Sequence, residues 1–348
     1  MKRNANWLVS LTVAALLVTG ALSGCNRTNG SSDPASVTQT SNPTVTQADI
    51  QHAIDVQDRH SDDMMDIAGV NGTAVGVQNN TAVIYIYTSE HNVAGIPAML
   101  EDVHTSVQYL GEITARDVNI GLSRNPMYSG FSVGNDNECA AGTISCVVKD
   151  HTGTNPKYYI LSNNHVFARE NAATLGEKID QPGRYDTGCG PSGNVATLSN
   201  FIPINFGRKT TNVVDCAIAY LLVTTSSTTA QLEYTPSTTP VSATVGMTVK
   251  KVGRTTGYQT STISGINATV TVNYGNGKSA KFIHQLLINS STFSAAGDSG
   301  SLICENTSGN SNPVGLLFAG SSNSTIANPI GSVLSALQVD IVASNATP

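Results

Sequence analysis

The stretch Ala296-Gly297-Asp298-Ser299-Gly300-Ser301 decides how the rest of the chain is read. It sets a serine between two glycines in a turn-forming context. A nucleophilic hydroxyl needs an exposed Oγ, backbone N–H groups aimed at the oxyanion it creates, and a base to take its proton. Glycine at 297 lets the backbone pass close to a substrate carbonyl with no Cβ in the way. The N–H groups of Gly297 and Ser299 are therefore the candidate oxyanion hole. In a chain with 31 glycines in 348 residues, the same string also fits an ordinary turn. A histidine and an aspartate upstream decide between the two readings.

Both are present. Leu161-Ser162-Asn163-Asn164-His165-Val166-Phe167 sets a histidine just after the apolar run Tyr158-Tyr159-Ile160-Leu161. Asn212-Val213-Val214-Asp215-Cys216-Ala217-Ile218-Ala219 sets an aspartate at the head of a small, apolar strand. Each lies where a buried strand gives way to polar chain, the kind of rigid edge that carries functional side chains. The order His, Asp, Ser is one in which the nucleophile–base–orienter constellation recurs. Ser299 is then the nucleophile, His165 the general base and acid, and Asp215 the group that orients the imidazole. His151 and His284 are rival bases, and Asp180 and Asp186 rival carboxylates, but none has comparable context. Ser301 lacks the flanking glycines.

The three segments resemble those of the chymotrypsin-like (trypsin-fold) serine peptidases, over roughly the last two-thirds of the chain. Between the aspartate and the serine, Lys251-Val252-Gly253-Arg254-Thr255-Thr256-Gly257 is similar to an element of bacterial and plant members. The plant narrow-leaf proteins are among the families the chain resembles. The resemblance implies two six-stranded antiparallel β-barrels with the site at their junction. His165 and Asp215 would come from the first barrel and Ser299 from the second. It implies a serine endopeptidase with a polypeptide substrate, an acyl-enzyme intermediate and no cofactor. An inactive or self-processing binding protein on the same fold is the alternative. By the same resemblance, the residue about six before the nucleophile sits at the base of the specificity pocket. Here that is Phe293, which argues against a demand for Arg or Lys. The strand Gly315-Leu316-Leu317-Phe318-Ala319-Gly320 is expected to pair with the substrate backbone. Phe293, Phe318 and Gly320 are the candidate substrate-binding residues, and they suit a small or apolar residue before the cut. Animal trypsins begin with an Ile-Val-Gly-Gly-like segment whose freed amine pairs with the aspartate before the nucleophile. Phe131-Ser132-Val133-Gly134 is a poor analogue. Asp298 is therefore expected to find another cation or backbone donors, because an unpaired buried carboxylate is costly.

Composition agrees with this class. Charged residues make up 12% and the net charge is −6, with no basic cluster to neutralise phosphates, so a nucleic-acid partner is not expected. Many short strands with frequent turn signals predict an all-β protein. No Cys/His spacing suits zinc, so no metal site is expected.

Four segments are predicted. Residues 1–24 form a lipoprotein signal peptide: Lys2 and Arg3 lead an apolar stretch, residues 7–22, too short for a membrane span. Leu22-Ser23-Gly24-Cys25 resembles the bacterial lipoprotein cleavage box, which implies lipid on Cys25 and a stable membrane anchor. An ordinary secretory signal with a chance cysteine is the simpler alternative. Asn26 after the cysteine points to the outer membrane if the cell has two membranes. Residues 25–46, rich in Ser, Thr, Asn, Pro and Gly, read as a flexible tether. Residues 47–117 read as a small α/β module with a helix over 46–67 and strands over 73–77 and 82–87 around Gln78-Asn79-Asn80. A helical turn is expected over 96–100 and a further strand over 107–114. The module is either a propeptide or a permanent accessory domain. Residues 118–348 form the peptidase domain, with a hairpin at Asn276-Gly277 and a terminal helix over 333–342. Cys139, Cys146, Cys189, Cys216 and Cys304 are an odd set, so at least one is unpaired. The sequence does not give the pairing: Cys139 and Cys146 could close a short hairpin loop, but along one extended strand they are too far apart to bond.

Overall fold

The chain begins its regular structure at a helix whose start is legible in the sequence. The computed structural model describes residues 45–113, 127–151, 155–222, 227–228, 230–231, 233–307 and 311–343. The predicted signal peptide, Cys25 and nearly all of the tether lie outside them. Helix α1 (Gln47–Met65) opens on a capping box: the Thr46 hydroxyl accepts from the Asp49 N–H, and the Asp49 carboxylate accepts from the Thr46 N–H. Its buried face carries Ile50, Ala53, Val56 and Met64 but also Gln57 and Ser61. Those two hydrogen-bond the Thr73 hydroxyl, and Gln57 also reaches the Asn267 carbonyl. The apolar stripe is therefore interrupted where the helix makes polar contacts. Strands β1 (Val70–Gln78) and β2 (Thr81–Thr88) form the predicted hairpin, with Asn79 and Asn80 at φ 50° and 61°, as a tight turn matched to strand twist requires. The helical turn expected over 96–100 does not form. Instead β3 (Met99–Leu100) pairs with β4 (Val103–Tyr109), which runs parallel to β2. The apolar residues there are consumed by sheet pairing.

After the short β5 (Met127–Tyr128) come the strands of the first barrel, β6 (Ser132–Asn135), β7 (Gly142–Thr143), β8 (Val147–Asp150), β9 (Tyr158–Ser162), β10 (Lys178–Gln181), β11 (Gly193–Phe201) and β13 (Ala217–Leu221), with β12 (Gly207–Asn212) between the last two in the chain. β7 and β8 act as one bent strand, since the Ser145 N–H and Cys146 carbonyl continue the pairing with Leu161. The pairings β6·β7, β8·β9, β9·β13, β13·β11, β11·β10 and β10·β6 close a six-stranded ring; β12 stands outside it, paired to the second barrel. Val133, Ile144, Ile160, Phe167, Ile179 and Leu198 pack in the first barrel's core.

The second barrel repeats the plan. Its strands are β15 (Thr248–Gly253), β16 (Gly257–Thr262), β17 (Gly265–Gly275), β18 (Lys278–Asn289), β19 (Leu302–Glu305), β20 (Pro313–Gly320) and β21 (Ser324–Pro329), following β14 (Ser227–Thr228), which pairs with β5. β16 and β17 are one strand broken at Ile263-Ser264. The pairings β15·β16, β17·β18, β18·β21, β21·β20, β20·β19 and β19·β15 then give the same ring order as the first barrel. The hairpin at Asn276-Gly277 has both residues at positive φ. The fold is all-β, two antiparallel six-stranded barrels preceded by an α/β segment. The predicted terminal helix is shorter and earlier than expected, α3 (Ile330–Leu337). It ends at Gln338 in a left-handed conformation, and β22 (Val339–Ile341) returns to pair with β8.

Of the two readings open for Cys139 and Cys146, the structure takes the one in which they do not bridge. Cys139 bonds Cys189 across 50 residues, while Cys146, Cys216 and Cys304 are free and buried. Those three pack in one apolar layer with Leu161, Leu302 and Leu316.

Residues 45–113 are built into the second barrel's sheet. β1 pairs along β17, Gly72↔Val270 and Thr73↔Thr269, and Tyr85, Tyr87, Leu110 and Ile113 share one core with Val270, Val272, Phe282 and Phe318. Without them, that apolar face and the β17 edge would meet water, an aggregation hazard. A chain starting at residue 45 is expected to unfold in one cooperative transition. One starting at residue 114 is expected to be insoluble or to lose that transition, as circular dichroism on the purified chains would record.

Candidate functional site

Antiparallel register alone brings the histidine to the aspartate. β9 and β13 pair with Ser162 opposite Ala217, so the chain leaving β9 and the chain entering β13 share one barrel edge. Asn163, Asn164 and His165 follow β9 into the short helix α2 (Asn164–Phe167). The Asn163 amide donates to the Asp215 carbonyl at 2.8 Å, and the Asn164 amide donates to the Ile202 carbonyl at 2.7 Å. Side-chain amides thus fix a backbone too irregular to pair with itself. His165 Nδ1 lies 2.7 Å from Asp215 Oδ2, and the His165 N–H donates to Oδ1 at 3.2 Å. The carboxylate is fully buried and the imidazole 11% exposed. Asn328 accepts from the Asp215 N–H at 3.0 Å and is itself held by Gln285. Tyr274 adds a third donor, its hydroxyl 2.8 Å from Asp215 Oδ2.

The serine turn is built by the second barrel and pinned by the first. The Gly300 N–H donates to the Leu317 carbonyl and the Leu317 N–H to the Ser301 carbonyl, extending the β19·β20 ladder to residue 300. Thr143 on β7 donates its hydroxyl to the Gly297 carbonyl and its N–H to the Ser299 carbonyl, both at 2.7 Å. Ser162, three residues before His165, donates to the Thr143 carbonyl at 2.8 Å. The serine turn and the histidine segment therefore hang from one threonine. The Ser299 hydroxyl lies 3.5 Å from the Phe318 carbonyl, and Ser299 is 1% exposed. Gly297 and Gly300 hold φ of +88° and +96°. A Cβ at 297 would collide with Arg254 and Thr255, and one at 300 with the Thr143 carbonyl and Ser162 hydroxyl.

The orientation of two N–H groups follows from peptide planarity. The Ala296 carbonyl is held by the Thr255 hydroxyl at 2.5 Å, so the Gly297 N–H on the same peptide turns away from Thr255. The Asp298 carbonyl is held by the Ser301 N–H and hydroxyl at 2.9 and 2.6 Å, so the Ser299 N–H turns away from them.

Asp298 has found a cation and backbone donors. Its carboxylate accepts from Lys251 Nζ at 3.1 Å, from the N–H groups of Thr255, Thr256 and Ala295 at 2.8, 3.1 and 2.9 Å, and from the Thr256 hydroxyl at 2.6 Å. Both charged side chains are fully buried. Burial pulls the Lys251 ammonium below the usual lysine range, and Asp298 opposes that pull. The Gly-Arg-Thr-Thr-Gly element thus cradles the residue before the serine. Its arginine points elsewhere: Arg254 pairs with Asp186, which also accepts from Ser132.

Two expectations for substrate contacts need correction. Phe293 is fully buried inside the second barrel among Ile288, Ile303, Val314 and Leu317, so its ring faces the core and no pocket. The Phe318 ring is also fully buried, 4.7 Å from that of Phe282. Gly320 is buried and pairs with Thr325. Counting back from the serine located Phe293, which packs into the second barrel from the connection between β18 and β19, while the pleat of β20 turns the Phe318 ring inward. The rival side chains are engaged elsewhere: His151 with Asp340, His284 with Asn267, Asp186 with Arg254. Sequence reading did not single out Tyr274, Asn328 or Lys251 for a role. Only Lys251 had a signal, its place ahead of the Gly-Arg-Thr-Thr-Gly element.

A family model described as the Nal1 C-terminal domain matches residues 221–345, a range that contains Tyr274, Lys251 and Ser299 but not His165 or Asp215. This match accords with the resemblance to the plant narrow-leaf proteins. None of the curated proteins compared with the chain matches it. Among solved structures, the chain is similar to a glutamic-acid-specific serine protease described as using a histidine triad in substrate binding (20% identity, 62% of this chain and 100% of that one, TM-score 0.43). It is also similar to a Nocardiopsis protease (15%, 62% and 98%, 0.43) and to Thermobifida fusca protease A (17%, 62% and 98%, 0.42).

Proposed function

We propose that this chain is an exported serine endopeptidase that hydrolyses polypeptides through an acyl-enzyme. The observation that carries the reading is the 2.7 Å contact of His165 Nδ1 with the buried Asp215 carboxylate, on the barrel edge tied through Thr143 to the Ser299 turn. With Nδ1 committed to Asp215, the imidazole has Nε2 for proton traffic. His165 takes the Ser299 proton as Oγ attacks the scissile carbonyl, then gives it to the leaving amine. Water repeats the sequence to release the acyl group. Asp215 fixes the tautomer and stabilises the imidazolium. The N–H groups of Gly297 and Ser299 receive the oxyanion, and losing one such donor costs about 2.7–4 kcal/mol in comparable sites. Lys2, Arg3, the apolar residues 7–22 and the box ending at Cys25 support export and lipid anchoring.

A second reading, a protease that cuts only its own chain, is favoured by one observation: Ser299 is 1% exposed. Casein digestion and self-cleavage followed side by side separate the readings. Many casein molecules cut per enzyme molecule supports the peptidase. Cleavage confined to the chain itself supports the second reading. Neither, from well-folded protein, leaves a binding protein on a protease fold.

A further inference from the structure

We infer that Tyr274 is a positioning residue for the catalytic pair, reaching from the second barrel to hold the Asp215 carboxylate that orients His165. The inference rests on the peptidase reading. Tyr274 is the next-to-last residue of the long strand β17, beside the Asn276-Gly277 turn that folds β18 back over it. Its hydroxyl lies 2.8 Å from Asp215 Oδ2, the same oxygen that faces His165 Nδ1. Its ring meets the imidazole edge-on, with centroids 6.0 Å apart, and is braced by Phe206 and Phe282. Burial, then the neighbouring Asp215 charge, pushes the phenol well above its usual range. The hydroxyl therefore stays protonated and donates.

The chemistry follows from the donor count. A carboxylate with no solvent contact needs protein donors to remain charged. Asp215 has His165 Nδ1–H, the His165 backbone N–H and the Tyr274 hydroxyl. The first two come from the residue being oriented, so among the described residues Tyr274 is the independent anchor for the carboxylate oxygens. It also draws off part of the negative charge that His165 feels. Removing it frees the carboxylate to turn and leaves it more basic, so the imidazolium is favoured and the His165 pKa rises. Tyr274 belongs to the second barrel and Asp215 to the first, so this bond also ties the oriented pair to the barrel that carries Ser299.

The test is Tyr274→Phe, which keeps the ring and removes the donor. In purified full-length protein, kcat on a peptide substrate is expected to fall roughly ten- to hundredfold, the size of a lost bond to a charged group. KM should hold, and the acidic limb of the pH profile should move to higher pH. The His165 imidazole titration by NMR, which requires no turnover, should move the same way. A 3-fluorotyrosine at 274, a stronger donor of nearly the same shape, should move it to lower pH and covers the case of a phenylalanine variant that folds poorly. Wild-type kcat and an unmoved His165 titration in both variants would overturn the inference. Wild-type protein with no turnover, but with the titration shifting as expected, would sink the peptidase reading and leave the Tyr274–Asp215 coupling standing.

Discussion

Ser299→Ala is expected to lower the rate of peptide hydrolysis on the order of 10⁶-fold, His165→Ala by a similar factor, and the double variant no further. Non-additivity is the informative part. If the hydroxyl and the imidazole act on one proton, removing either removes the whole step, and nothing is left for the second substitution to damage. If His165 and Ser299 were unrelated polar residues of a barrel junction, their effects would be small and would add, as effects of independent sites do. Steady-state rates of the four proteins on one fluorogenic peptide decide it. Residual activity common to all three variants would come from the N–H groups of Gly297 and Ser299, which no side-chain substitution removes.

Lys251→Met is expected to cost about 3–5 kcal/mol of folding stability, the penalty for stranding one partner of a buried ion pair. Asp298 would lose the one cation paired with it among the described residues while fully desolvated. Activity should fall with stability, because Asp298 is the residue between Gly297 and Ser299, and its carbonyl and carboxylate set the turn. Adding Asp298→Asn should recover most of the loss: both charges are then gone, and a neutral amide oxygen can still accept from the Thr255 and Thr256 N–H groups. Urea midpoints of the two single variants and the double variant measure the coupling. Equal destabilisation of Lys251→Met with and without Asp298→Asn would mean that the ammonium acts through its bonds to Thr256 and Gly257 instead. The pair also gives a physical reason for a serine turn that is formed without a freed N-terminal amine: Lys251, three residues before Arg254, is delivered to Asp298 by β15.

The sequence was most legible where local composition and geometry agree. His165 and Asp215 each stand at a strand end, and the antiparallel register of β9 and β13 converts two local signals into one contact. The Asn79-Asn80 and Asn276-Gly277 turns were readable because positive φ is demanded there. Legibility ended where a role depends on a direction or on a distant partner. Phe293 and Phe318 lie close to the serine in sequence, but the pleat of β20 and the packing inside the second barrel turn their rings into cores. Tyr274 lies 59 residues from Asp215 in sequence and looks like any strand tyrosine until the ring order of the barrel is known. Cys139 lies near Cys146 in sequence yet bonds Cys189, because β10 pairs with β6 and brings the loop holding Cys189 to it.

The most direct measurement is intact-mass analysis of the full-length protein after treatment with a fluorophosphonate, followed by peptide mapping. The expected result is a single adduct on Ser299, absent from Ser299→Ala and strongly slowed in His165→Ala. Well-folded protein that takes no adduct, or takes one on a different serine at a rate His165→Ala leaves unchanged, would contradict nucleophilic catalysis at this turn.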